Sequence, residues 1–237
     1  MPESASSEHL ASMPHVGATV EEVLRAAGIP LERQGRARVA RLSPAERLFY
    51  LWILRGFATA APPSAAATRV AAADFGLDHG QVLKRLADED LVHVDSAGTP
   101  TVAYPFSANL RGHHVTINRK EEVQAMCAID ALGISPMLDL PVEVVSHDPV
   151  SGGEVRVHLR PGDQAKWRPE DAVVLAGSVV CAGPSFQGCC DVLNFFETPA
   201  NAHRYLREHP EATGMPISIP DAVGAGRAVF ADVLKEG

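Results

Sequence analysis

Apolar and polar positions along this chain follow two rhythms, a helical one in the first half and a mixed one in the second. From about residue 41 to 105 the helical period is broken by strong start and stop signals. Ser43-Pro44-Ala45-Glu46 combines an N-cap serine, a proline at the first helical position and a glutamate three residues after the cap. Leu48, Leu51, Trp52 and Leu54 then mark an apolar face. The run Ala61-Pro62-Pro63-Ser64 breaks the chain, a short helix is expected near 65–74, and Asp78 caps another with Val82, Leu83 and Leu86 inward. Two extended runs follow, Leu91–Val94 and Thr101–Tyr104, joined by Asp95-Ser96-Ala97-Gly98. Three helices and a hairpin outline a winged helix-turn-helix.

The second half reads as a mixed domain. Asn118 and Glu121 bracket an expected helix start, and Gly133 with Pro136 is expected to end that helix. Val142–Ser146 and Val155–Leu159 read as strands around a Pro149–Gly153 turn, with Val155, Val157 and Leu159 on one face. Ala172–Val180 is almost continuously apolar, as a buried central strand would be. Thr198-Pro199 opens a helix to about Glu208, and a strand near Pro216–Ile219 precedes a C-terminal helix from about Asp221. At the other end, Thr19 and Glu22 form a capping box for a short helix stopped by Gly28 and Pro30. The fold class expected is α+β: a winged-helix-like helical module followed by a mixed β-sheet catalytic domain with flanking helices. The divisions expected are a disordered tail at 1–18, a helix and linker at 19–40, the winged-helix-like module at 41–110 and the α+β domain at 111–237.

Composition and charge narrow the function. The chain has 237 residues, 46% of them hydrophobic, so a sizeable core can be buried. The formal net charge is −8, which argues against a partner held by cation density, such as DNA or an anionic membrane. Between residues 41 and 105 the balance is −1, and the helix placed to read DNA ends in Asp88-Glu89-Asp90; a DNA reader is basic on that face. No apolar stretch is long enough to span a membrane. The first residues carry no basic-then-apolar leader pattern, so the expected location is the cytoplasm, where thiols stay reduced. The four cysteines, Cys127, Cys181, Cys189 and Cys190, are therefore read as thiols.

Two segments carry candidate chemistry. In Met126-Cys127-Ala128-Ile129-Asp130 a thiol and a carboxyl stand three apart in an apolar setting, a spacing that puts both on one helix face. Burial of Asp130 among apolar neighbours is costly and raises its pKa, which suits a proton carrier. The second segment is Gly183-Pro184-Ser185-Phe186-Gln187-Gly188-Cys189-Cys190-Asp191. Adjacent cysteines in an extended strand point to opposite faces, and their spacing does not suit a structural zinc site. Each segment alone also reads as ordinary core cysteine. Together they offer two soft sulfurs and one carboxyl, a set suited to a soft, two-coordinate metal and one proton. The pair His113-His114 reads as surface polarity with side chains facing apart, His147 as a structural hydrogen-bonder, and Tyr104 as a side chain that could line the site.

The run Val123-Gln124-Ala125-Met126-Cys127-Ala128-Ile129-Asp130-Ala131-Leu132, then Val145-Ser146-His147, then Cys189-Cys190 followed after four residues by Phe195-Phe196, resembles the organomercurial (alkylmercury) lyase family over about 41–237. The resemblance places that family's catalytic cysteines on Cys127 and Cys189 and its aspartate on Asp130, with these three as the mercury-holding set; Cys190 is auxiliary. Asp148 stands where many members carry a further cysteine, and Cys181 has no counterpart. The resemblance implies protonolysis of a carbon–mercury bond by two thiolates and an aspartate. No organic cofactor is implied, since mercury is bound as substrate and product. The implied partners are an organomercurial substrate, low-molecular-weight thiols and a mercuric reductase that takes over Hg²⁺, with no nucleic acid and no membrane. The rival readings are a winged-helix thiol-based metal sensor and a non-catalytic thiophilic-metal-binding protein on the same fold.

Overall fold

A computed structural model describes residues 17–29, 35–179 and 190–234. The expected tail, except its last two residues, and the loop carrying Cys181 and Cys189 lie outside the described residues. Helix α1 (Val20–Ala26) starts in the capping box expected of Thr19 and Glu22, and α2 (Gly35–Val39) follows. The winged-helix-like part comprises α3 (Pro44–Ala58), α4 (Ala65–Asp74) and α5 (His79–Asp88), then strands β1 (Val92–Val94) and β2 (Pro100–Ala103). The three helices are capped by Ser43, Ser64 and Asp78. The buried face of α3 is in part the expected one, with Leu51 and Leu54 buried. Phe49, Tyr50, Ile53, Leu54 and Phe57 point inward, whereas Leu48 is half exposed. The acidic end of α5 is engaged within the fold: Glu89 pairs with Arg41 and Arg85, and Asp90 with Arg38 and His93.

Strand β3 (Phe106–Ser107) joins the hairpin to a larger sheet. Its other strands are β4 (His113–Ile117), β5 (Glu121–Ala125), β6 (Val142–His147), β7 (Glu154–Leu159) and β8 (Lys166–Arg168). The eight strands run in the order β1-β2-β3-β5-β4-β6-β7-β8, every neighbouring pair antiparallel. A second sheet places β9 (Val173–Val179) between β10 (Phe195–Phe196) and β11 (Ala212–Ser218), the central position expected of the long apolar run. Helix α6 (Ala128–Leu138) is buried nearly throughout, α7 (Pro199–Glu208) is capped by Thr198 as expected, and α8 (Ile219–Phe230) is capped by Ser218. The whole is the α+β architecture expected.

The helix expected to open at Asn118 does not exist. Asn118 and Arg119 take positive φ, 49° and 60°, and turn the chain from β4 into β5. Asparagine tolerates the left-handed region, so it serves a turn as readily as a cap. The helix starts ten residues after Asn118, and it runs through Gly133 and Pro136 to end at Leu138, where Asp139 (φ 55°) closes it. Gly133 is there for packing. A Cβ at that position would meet the Phe230 ring, and one at Gly226 would lie 2.8 Å from Gly133 N and 2.9 Å from the Ile129 carbonyl. Thus α6 and α8 touch backbone to backbone.

His113 and His114 lie in β4. They face apart as expected, but His113 is buried and meets Ser146 Oγ at 2.9 Å. Burial, aided by the Arg111 cation, pushes its imidazole pKa down to about 4 from the usual 6.5. A depressed histidine contributes stability that is present above pH 6.5 and lost as pH falls through about 4, amounting to about 3 kcal/mol. His113→Gln should therefore lose less stability than the wild type between pH 6.5 and 4, by roughly that amount. Urea denaturation of both proteins across this range checks it; parallel pH profiles would show that His113 does not titrate differently on folding.

Candidate active site

Cys127 is the N-cap of α6, held in extended conformation (φ −155°, ψ 179°). Backbone bonds fix it on both sides: Met126 N donates to the Pro105 carbonyl (3.0 Å) and Ala128 N to the Leu193 carbonyl (2.8 Å). The second bond draws the segment after Cys190 against the start of the helix. As a cap, the Cys127 sulfur accepts from Asp130 N at 3.4 Å, and its thiol donates to Asp130 Oδ2 at 3.0 Å. The three-residue spacing therefore works as an N-cap, with sulfur in place of the usual hydroxyl and a thiol–carboxylate bond beside it. This differs from the expected geometry of two residues inside one helix, though it brings the same two groups together.

Cys190 completes a cluster. Its sulfur is 3.9 Å from Asp130 Oδ2, and the three ligand atoms of Cys127, Asp130 and Cys190 all lie within 4.8 Å of one another. All three residues are buried. They open on a largely apolar cavity of about 40 Å³, walled in part by Leu193, Val229 and Phe230. Tyr104 lines it, as expected, and so does Arg38, which the sequence reading passed over. Cys189 lies outside the described residues, so of the two adjacent cysteines Cys190 is the one the structure places at the site. His147 is exposed at the end of β6. The structural role there belongs to its neighbour Asp148, whose buried carboxylate accepts from Val150 N, Glu197 N and Asn201 Nδ2.

The electrostatics favour protonated thiols at rest, beside a carboxyl held near neutrality. Burial pushes the Asp130 carboxyl up to about 7, against the opposing pull of the Cys127 hydrogen bond and Arg38. The Cys127 thiol is pushed well up by burial and by its neighbours Cys190 and Asp130. For Cys190 the hydrogen bond with Cys127 pulls down, but burial and Asp130 outweigh it and the thiol is raised. Two protonated thiols thus face one carboxyl tuned near neutrality, the condition for moving a proton in either direction.

A paired-thiol site with a proton-carrying carboxyl, on a sheet-and-helix domain preceded by a winged-helix-like module, defines a class of enzymes acting on soft metals. Residues 106–231 match the alkylmercury lyase family, and the chain belongs to that family. It is 29% identical over 154 residues to the alkylmercury lyase of Streptomyces lividans, covering 65% of this chain and 70% of that protein. With the alkylmercury lyase of Staphylococcus epidermidis it shares 26% identity over 166 residues, 70% of this chain and 75% of that protein. Among solved structures, the mercury-bound form of MerB2 superposes with a TM-score of 0.70 at 19% identity, covering 86% of this chain and 98% of that one; at that identity the likeness speaks for the fold.

Proposed function

We propose that this protein cleaves the carbon–mercury bond of organomercurials by protonolysis, with Cys127 and the Cys189–Cys190 pair holding mercury and Asp130 carrying the proton. The observation that carries this reading is the shared contact of two buried thiols with one buried carboxyl. Metal binding alone needs no acid there. The Cys127 sulfur displaces the ligand X from RHg–X, and its proton leaves with X. Binding of the second sulfur transfers that thiol's proton to the Asp130 carboxylate. Two thiolates push electron density onto mercury and make its carbon more basic. Asp130 then protonates the carbon, RH leaves and Hg²⁺ remains on two sulfurs. Two external thiols restore the enzyme by taking Hg²⁺ and returning two protons. Low-molecular-weight thiols and a mercuric reductase are the partners this chemistry asks for, and the cytoplasm is the compartment that supplies them. Among the described residues no helix is long and apolar enough to cross a membrane.

Cys190 is supported as the second ligand by its position beside Asp130, and Cys189 by the family resemblance. Incubation with phenylmercury and excess thiol, with benzene measured by gas chromatography, tests the reading as a whole. Multiple turnovers are expected, whereas mercury binding without benzene would leave a storage protein. In the same assay Cys190→Ser should lose at least about tenfold in rate, because a hard hydroxyl replaces a soft ligand. A near-wild-type rate there, with loss in Cys189→Ser, would place the second thiolate on Cys189.

A further inference from the structure

Among the described residues three buried side-chain polar atoms lack a hydrogen-bond partner, and two of them, Tyr104 Oη and Arg38 Nε, belong to residues that line the cavity of Cys127, Asp130 and Cys190. Tyr104 is 5% exposed and Arg38 8%. Neither side chain is loosely placed. The Tyr104 ring has His93 edge-on at 6.2 Å and the Arg38 guanidinium at 6.0 Å, and its carbonyl accepts from Tyr50 Oη. Arg38 Nη1 is committed to Asp90, 2.6 Å from the carbonyl and 3.3 Å from the carboxylate, which leaves Nε unused. A buried donor without an acceptor is costly and rare, and two beside one cavity point to something that enters it.

We propose that this cavity is a subsite for organomercurials whose organic group carries an oxygen acceptor a few bonds from the mercury-bound carbon, with Tyr104 Oη and Arg38 Nε as its donors. The inference rests on the lyase reading and adds a substrate class to it. Guanidinium Nε can only donate, so the group it meets is an acceptor. The charge of Arg38 is already balanced by Asp90, so a neutral ether or hydroxyl oxygen suffices. The small cavity favours a short chain over a bulky one. A plain alkyl group of the same length would bury against both donors and leave them unpaired, and sites built to hydrogen-bond a substrate discriminate on that ground.

The test pairs two mercurials of equal chain length, 3-methoxypropylmercury and n-pentylmercury. Their products, methyl propyl ether and pentane, are separable by gas chromatography. The wild type should prefer the ether by about tenfold in kcat/KM. Tyr104→Phe should cut that ratio at least about threefold, and Arg38→Lys, which keeps the charge but lacks Nε, should also reduce it. A wild-type ratio near one, or an unchanged ratio in Tyr104→Phe, would overturn the proposal. Calorimetric affinities for the same pair read the subsite independently of catalysis. Release of neither product with the affinity preference intact would sink the lyase reading alone.

Discussion

Cys127→Ser should release no measurable hydrocarbon, a loss on the order of 10³-fold or more, as expected when the nucleophile of a cooperating set is removed. Serine keeps the cap, since its hydroxyl can accept from Asp130 N where the sulfur now does. The backbone bonds of Met126 and Ala128 do not involve the side chain. Folding should therefore survive, and the circular dichroism melt should stay near that of the wild type. What disappears is the soft ligand that first displaces the mercurial's partner. The variant should still bind mercury through the remaining cysteines while turnover is gone. Hydrocarbon release above about 10% of the wild-type rate would mean that Cys127 is a capping residue and not the nucleophile.

Asp130→Asn should retain mercury on the thiols and slow hydrocarbon release by about 10²- to 10⁴-fold, the usual worth of a positioned general acid and base. The amide can still accept from the Cys127 thiol but cannot carry a proton away. A stability signature accompanies the kinetic one. With its pKa raised from 3.8 to about 7 by burial, Asp130 contributes stability that is present below pH 4 and lost as pH rises through 7, about 4 kcal/mol in all. His113 acts in the opposite sense over much of the same range, so the wild-type profile is expected to be flatter than either effect alone. Asp130→Asn should remove the loss between pH 4 and 7 and leave the His113 slope in view. Wild-type hydrocarbon rates in the variant would make Asp130 a structural partner of Cys127 and refute the proton-transfer scheme.

The helical module was legible because its signals are local: Ser43 and Asp78 each cap the helix that the apolar spacing announces. The long apolar run became a central strand for the same reason, since both its faces are covered. The region around the site misled, because Asn118 and Glu121 imitate a capping box while a left-handed turn decides the local path. Cys127 was legible as a chemical residue but not as a cap, because sulfur is an uncommon capping acceptor. The pairing of Cys127 with Asp130 was reached from spacing, and it holds through a different geometry. Arg38 was not legible as a member of the site, and Cys190 was legible only as an auxiliary to Cys189. What places them are a contact 52 residues away, from Arg38 to Asp90, and a backbone bond from Ala128 to Leu193. Neither leaves a trace in any short window of sequence.

The contact of α6 with α8 separates two properties that enzymes commonly couple. Gly133 and Gly226 bring main chain against main chain, so the distance between the helix capped by Cys127 and the helix that bears Val229 and Phe230 is not set by side-chain size at that crossing. Val229, and Val233 just beyond the helix, reach the cavity from that braced wall. Their bulk can vary and the room for the organic group with it, while the thiol and the carboxyl keep their positions. Substrate range in this fold can thus drift, in evolution or by engineering, without disturbing the reaction centre.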